Sequence, residues 1–183
     1  MTKRTTLSKL SLALVGLITQ SPASGYDVRK VFETTAMGTF SRSPGAIYPA
    51  LARLEREGLI AGEVENPDTL RPRKVYHLTD DGRDALRGTC VQLVTRDDVI
   101  WCRDDLMLRF VFMAYVLDGA EQVGFLEQWL AADEAYVEEI AEQSTLPGLE
   151  KAPLARFALE HGLRSYRMEA GWIREVLQNL RGR

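Results

Sequence analysis

Two short segments of the chain concentrate side chains that can bind an anion. One is Arg71-Pro72-Arg73-Lys74, with three cations in four residues. Guanidinium and ammonium groups form charge-assisted hydrogen bonds to phosphate, and serine and tyrosine hydroxyls also donate to it. The other segment lies in and just before a stretch with helical spacing, and its candidate contact residues are Ser41, Arg42, Ser43, Gly45, Tyr48, Pro49 and Arg53. These residue types fit contacts to phosphate groups, although a solvated loop is the simpler interpretation of the basic tetrapeptide taken alone.

Residue patterns typical of enzymes are missing from the sequence. It contains no Gly-rich phosphate loop, no nucleophile elbow and no His-Glu pair at metal spacing. The acidic pairs Asp104-Asp105 and Glu138-Glu139 are adjacent residues, whose side chains diverge on a helix. The two histidines and two cysteines also lack the spacing of zinc ligands. We therefore predict no catalytic residue, no metal and no cofactor.

Apolar spacing and capping residues predict the elements that position the candidate contacts. The third predicted helix has the clearest start, because Ser43 is a good N-cap and Pro44 fits the first helical position. Pro49 then falls inside this helix, where a slight kink is expected. The other predicted elements are helices from about Ser8 to Gln20 and Tyr26 to Thr35, strands Leu59 to Val64 and Lys74 to Leu78, and a helix capped by Thr79.

This order of elements predicts a winged helix-turn-helix. An α-helix fits the major groove of B-DNA, and a hairpin beside it can offer Arg71, Arg73 and Lys74 to the backbone or minor groove. Winged helices also serve as protein-interaction modules without DNA binding, which is the alternative function. The distribution of charge mildly favours DNA binding. Residues 1–90 carry 13 basic and 10 acidic residues, whereas residues 91–183 carry 10 basic and 16 acidic residues.

The residues from Ser43 to Ile60 closely resemble the signature of the PadR family of transcriptional regulators, including the proline within the helix. Similar blocks are Ser24 to Val28 and, around the basic turn, Arg71 to Tyr76 and Leu78 to Arg83. The resemblance implies a repressor that binds double-stranded DNA as a homodimer, with the third helix in the major groove. Leu70 departs from the pattern, because the family usually has glycine before its Arg-Pro-Arg run.

The second half is similar to the long helical C-terminal domain of one PadR subgroup. The predicted architecture is mainly α with a small two-stranded β wing: a DNA-binding domain over residues 1–90 and a helical dimerisation domain over 91–183. The predicted dimer contacts are Phe157, Met168, Trp172, Val176 and Leu180, which could equally form intrachain core. A two-fold dimer would favour inverted repeats, with recognition helices about 34–36 Å apart.

Three tryptophans, Trp101, Trp129 and Trp172, are candidates for stacking on a small hydrophobic or aromatic effector, although packing is the simpler interpretation. A redox-sensing role for Cys90 or Cys102 is disfavoured, because no nearby basic cluster would activate the thiol. The basic residues before Leu10 to Ile18 resemble a secretory signal, but the run is too short for a membrane span and has the spacing of a buried helix. We expect a cytoplasmic protein without a membrane partner.

Overall fold

The computed structural model describes residues 6–40, 44–65, 72–145 and 152–182. Helices predominate, and three short strands form one antiparallel sheet in the order β1-β3-β2. The elements are α1 Lys9–Gln20, β1 Ala23–Ser24, α2 Gly25–Thr34, α3 Ile47–Arg56, β2 Ile60–Glu65, β3 Arg73–Leu78, α4 Asp80–Cys90, α5 Arg96–Trp101, α6 Arg103–Met113, α7 Gly119–Gln143 and α8 Pro153–Arg181. Two 3₁₀ segments, Ala36–Phe40 and Pro44–Ala46, lie between α2 and α3.

The chain divides into two compact units. The first comprises Met1–Gln92 together with Met107–Leu117, and the second comprises Leu93–Leu106 together with Asp118–Arg183. The change between units therefore occurs within α6, so that residues 107–117 pack with the helix-turn-helix elements although they lie beyond residue 90. The described helices include none that is long and apolar enough to cross a membrane.

Helix α1 is the centre of the first unit. Its N-cap is Ser8, whose side chain accepts a hydrogen bond from the Ser11 amide. The sequence predicts one buried face, but consecutive residues from Leu12 to Val15 are almost fully buried. The reason is tertiary: α1 contacts α3, α4 and β3, and the ring of Phe112 from α6 fills the space beside Gly16.

Strand β1 was not expected from the sequence, because it has only two residues. Ala23 pairs with Tyr76 and Ser24 with Val75, so β1 adds a third strand to the predicted β2–β3 hairpin. Ser24 is also the N-cap of α2, where Ser24 and Asp27 form a reciprocal capping box. One residue thus joins the sheet to the first turn of α2.

The predicted start of the third helix at Pro44 is wrong, because the α-helix begins three residues later. Pro44–Ala46 form a 3₁₀ turn, and α3 starts at Ile47, which makes Pro49 its third residue. The first turn of a helix has amide groups without intrahelical partners, so a proline there removes no hydrogen bond. The predicted core face is confirmed, since Ile47, Leu51 and Leu54 have no exposed surface. Gly58, with φ +75°, follows the helix in the left-handed conformation expected of its stop.

In the second unit, α7 and α8 form an extensively packed pair. The buried side chains of α8 are Ala170, Ile173 and Leu177. The residues predicted for dimerisation lie on neighbouring positions of the same helix. Phe157 and Met168 are 57% and 70% exposed, whereas Trp172, Val176 and Leu180 are half-buried. The intrachain core of α8 therefore leaves much of the predicted stripe at the surface of the single chain.

Candidate nucleic-acid interface

An open groove of about 540 Å³ lies on the first unit, where the start of α2, the start of α3 and strand β3 meet. Three tyrosines contribute to it, and two of them are exposed: Tyr26 by 68% and Tyr48 by 49%. The whole lining consists of Ser24, Gly25, Tyr26, Tyr48, Pro72, Arg73, Lys74 and Tyr76. We call this surface the tyrosine groove. Hydroxyl and cationic donors beside an exposed helix are the groups that bind a nucleic-acid backbone.

Tyr48 is held in the groove by its contact with α2. A Cβ atom built on Gly25 would lie only 2.7 Å from Cε1 of the Tyr48 ring. Because the tyrosine is in the first turn of α3 and points towards the first turn of α2, the absence of a side chain at residue 25 lets the two helices approach closely. The glycine within the predicted family pattern therefore has a packing role.

Arg73, at the start of β3, forms an ion pair with Asp27 of α2. The same carboxylate accepts hydrogen bonds from the backbone amide of Ser24, at 2.9 Å, and from its hydroxyl, at 2.7 Å. The bonds from Ser24, reinforced by Arg73, lower the pKa of Asp27 below its ordinary value. Asp27 therefore links the cap of α2 to a predicted DNA-contacting arginine.

Lys74, the second basic residue of the groove, pairs with Glu55 of α3 at 2.7 Å. Its ammonium group also lies 5.5 Å from the centre of the Tyr76 ring. Gly62 of β2 leaves room for this arrangement, since a Cβ there would collide with the Lys74 side chain and approach Glu55. Both described wing cations are thus oriented by carboxylates of the helices beneath them, while remaining about half exposed.

Arg53 lies apart from the tyrosine groove. Its guanidinium donates to the Ser11 hydroxyl of α1 at 2.8 Å, and it lies 4.0 Å from Glu57. The side chain is still about half exposed, but its contacts lie on the side of α3 that meets α1. These contacts give Arg53 a structural role within the first unit, and its contact with DNA stays a prediction.

The structure brings together three of the predicted contact residues, Tyr48, Arg73 and Lys74. Gly45 and Pro49 are exposed at the start of α3 but do not line the groove. The predicted contacts Ser41, Arg42, Ser43 and Arg71, and the departure at Leu70, lie outside the described residues.

Sequence reasoning missed Tyr26, Asp27 and Tyr76. Tyr26 and Asp27 fall within a block that resembles the family, but helical spacing alone did not indicate that they face α3 and the wing. A signal was available for Asp27, because a Ser followed three residues later by an acidic residue can form a capping box. The position of Tyr76 depends on the register of β3, which only the tertiary structure defines.

The three candidate tryptophans do not form one site. Trp129 is fully buried and packs edge-on against Phe125 and Trp172, with ring centres 5.8 Å apart in both pairs. Trp101 is 77% exposed. Packing thus explains Trp129, and effector binding stays a prediction for the other two. Among the described residues, no three His, Cys, Asp or Glu side chains are grouped as metal ligands would be.

These features define a winged helix-turn-helix protein: a helix α3, a preceding helix α2 and a β2–β3 wing around one basic, tyrosine-rich groove. The comparison with known families agrees. The profile of the transcriptional regulator PadR-like family matches residues 14–88, and that of the virulence activator alpha C-terminal domain matches residues 102–181. Residues 14–88 are therefore similar to the transcriptional regulator PadR-like family.

Individual relatives match only part of the chain. The negative transcriptional regulator PadR of Bacillus subtilis is 29% identical over 105 residues, 57% of this chain and 57% of that protein. The transcriptional regulator Rv3488 of Mycobacterium tuberculosis is 50% identical over 44 residues, 24% of this chain and 40% of that protein. The match thus spans about half the length of these curated relatives. The crystal structure of Bacillus subtilis PadR in complex with operator DNA is 22% identical, covering 92% of this chain and 97% of that chain, with a TM-score of 0.41.

Proposed function

We propose that this chain is a cytoplasmic DNA-binding repressor that acts as a homodimer on inverted-repeat operators. The single observation that carries the DNA-binding part is the tyrosine groove, where hydroxyl and cationic side chains surround the start of α3. The family match supports the same activity. The repressor role is supported by the name of the Bacillus subtilis relative, a negative transcriptional regulator.

Within this proposal the tyrosine groove contacts the sugar-phosphate backbone. Arg73 and Lys74 provide charge, and the exposed hydroxyls of Tyr26 and Tyr48 provide neutral donors. Backbone contacts fix the position of a protein on the duplex, whereas contacts to base edges select the sequence. With the groove on phosphates, the exposed start of α3 near Gly45 and Pro49 would approach the major groove.

The ion pairs of the groove affect how strongly its cations can bind DNA. Arg73 and Lys74 each already face a carboxylate, Asp27 and Glu55 respectively. A phosphate that approaches either cation must share it with that carboxylate. The dependence of affinity on salt should therefore be shallower than two unpaired cations would give, because fewer counterions are released per contact.

A DNA-binding assay with promoter fragments tests the activity. Wild-type chain should shift DNA from the promoter of its own gene or of neighbouring genes, with affinity that falls steeply as salt rises. Arg73→Ala should weaken binding to all sequences, and Tyr48→Ala should weaken operator binding more than binding to random DNA. Arg164→Ala is the matched control, because it removes the same charge from an exposed site of α8, where Arg164 pairs with Glu160.

Unchanged affinity in a Tyr48→Ala/Arg73→Ala double variant would rule out the tyrosine groove as the interface. A folded wild-type chain that binds no promoter fragment at low salt would favour the alternative, a winged-helix module that binds protein. A reporter gene under the bound promoter would then decide the direction of regulation, since a repressor lowers expression and its deletion raises it.

The homodimer is proposed from the exposed apolar residues of α8. Met168, 70% exposed, and Phe157, 57% exposed, are large apolar side chains that a partner surface would cover. Sedimentation of the wild-type chain should give a dimer. Met168→Glu should shift it towards monomer, whereas Gln178→Glu, which adds the same charge at an exposed polar position of α8, should leave it dimeric. A monomeric wild type would overturn this part of the proposal without affecting the DNA interface.

A further inference from the structure

A pair of acidic side chains is buried between the two long helices of the second unit. Asp133 of α7 has no exposed surface, and the side chain of Glu169 of α8 is only 11% exposed. Burial raises the pKa of Asp133, and the charge of Glu169 raises it further, so the two carboxyl groups interact. Neither the DNA interface nor the proposed dimer contacts use them.

If both carboxyl groups were ionised, their oxygens would lack hydrogen-bond donors. Both carboxylate oxygens of Asp133 are buried without a hydrogen-bond donor among the described residues. Glu169 has one cation, since Nη2 of Arg103 lies 2.7 Å from its Oε2. That leaves two negative charges against one positive charge in a region closed to water. Burying an uncompensated charge is strongly unfavourable. The folded protein must therefore hold one more positive charge beside the two carboxyl groups.

The groups around Asp133 come from three helices. Arg103 belongs to α6, Glu134 to α7, and Glu169 and Tyr166 to α8. Arg103 also lies 4.6 Å from the centre of the Tyr166 ring, which holds it against Glu169. Helix α5 also packs against α7, and its cation Arg96 is bound to Glu139. Glu134 and Glu169 both disfavour ionisation of Asp133, whereas Arg103 favours it.

We propose that Asp133 and Glu169 share one bound proton in the folded α7–α8 pair, which makes this pair a proton-binding site of the second unit. A carboxylic acid donates to a carboxylate, so a single proton supplies both the missing donor and the missing charge. Asp133 and its neighbour Trp129, one helical turn earlier in α7, are both fully buried. The surface grooves along α7 and α8 are lined by other residues, among them Glu134 and Arg174.

The consequence is a dependence of stability on pH close to neutrality. Burial and the adjacent Glu169 raise the pKa of Asp133 to about 7. The folded state therefore holds a proton that the unfolded chain releases near pH 4. The stabilisation is fully present below the unfolded pKa and is lost as pH rises through the folded pKa. Between the unfolded and the folded pKa of Asp133, this site should raise the equilibrium constant for unfolding by about tenfold per pH unit.

Infrared spectroscopy of the native chain tests the proton directly. The wild type at about pH 6 should show the carbonyl stretch of a protonated carboxylic acid, although ordinary Asp and Glu are ionised there. The band should titrate near neutrality and be absent from Asp133→Asn. Absence of the band in the wild type, or its persistence unchanged in Asp133→Asn, would overturn the proposal. If Asp133→Asn does not fold, the presence and titration of the band in the wild type alone test the shared proton.

Unfolding measurements between about pH 5 and 8 provide the second test. Asp133→Asn keeps a donor towards Glu169 without a titrating proton, so its pH slope should differ from that of the wild type by about one proton. Glu138→Gln, an exposed position of α7, is the matched control and should retain the wild-type slope. Equal slopes for the wild type and Asp133→Asn would contradict the shared proton. Neither test depends on DNA binding, so failure here leaves the proposed function unaffected.

Discussion

The ring of Tyr48 packs directly over Gly25, so that a Cβ on residue 25 would come within 2.7 Å of the ring. This contact joins the first turns of α2 and α3. It also determines where a half-exposed tyrosine stands in the tyrosine groove, since the side chain cannot move towards α2.

Gly25→Ala should displace the Tyr48 ring towards solvent. Because the ring is half exposed and can rotate away, we expect a small loss of stability, about 1 kcal/mol or less. DNA affinity should fall by about 2- to 10-fold, the value of one neutral hydrogen bond. Chemical denaturation and fluorescence anisotropy with labelled operator DNA measure the two effects. A normal DNA affinity in the folded variant would show that the position of Tyr48 is unimportant.

Gly16→Ala should be far more damaging, although it is the same substitution. The neighbour of Gly16 is the ring of Phe112, which is fully buried and has no free space to enter. We expect a loss of about 1–3 kcal/mol from overpacking, and about 3–5 kcal/mol for Phe112→Ala. Urea denaturation measures both losses. Gly88→Ala in α4 is the control, because no atom lies near its Cβ position, and it should stabilise by about 0.4–1 kcal/mol.

Asp27→Asn should reduce the loss of stability of the first unit at acidic pH. The hydrogen bonds from Ser24 and the ion pair with Arg73 lower the pKa of Asp27, so the folded state favours the carboxylate. That stabilisation is present above the ordinary pKa of about 3.9 and is lost as pH falls through the lower folded value. Thermal denaturation between about pH 3 and 6 should therefore show a smaller decline for the variant than for the wild type.

The same variant frees Arg73, and its affinity for random DNA should increase with a steeper salt dependence. Glu33→Gln is the control, since it removes an exposed ion pair of α2 with Arg29 but leaves the tyrosine groove intact. A decrease in DNA affinity for Asp27→Asn would mean that Asp27 orients Arg73 more than it competes for it.

Cys90 should be inert in the native state. Burial raises the pKa of its thiol to about 11, so almost no thiolate is present near neutral pH. Cys102 is only half-buried. Mild alkylation followed by mass spectrometry should therefore label Cys102 first and Cys90 only after unfolding, and Cys102→Ser should show almost no native labelling. Rapid native labelling of Cys90 would revive the redox-sensor hypothesis.

Local chemistry in the sequence determined most of the elements of this protein. Ser8, Ser24 and Thr79 cap helices, and Gly58 follows α3 with φ +75°. These features depend on neighbours within a few residues, and for that reason they could be predicted. The winged helix-turn-helix followed from the order of these elements, and the likeness to the PadR-like family followed from the block around α3.

Only the tertiary structure decided how these elements meet. That Tyr26 and Asp27 share a groove with Arg73 depends on β1 pairing with β3, an interaction of two residues that leaves no periodic pattern. Arg53 turned towards Ser11 because α1 packs against α3. The acidic pair of Asp133 and Glu169 arises where α7 meets α8, and the start of Pro49's helix was shifted by a 3₁₀ turn. These arrangements depend on contacts between residues that are distant in the chain, or on competition between 3₁₀ and α-helical geometry. Residue types alone specify neither.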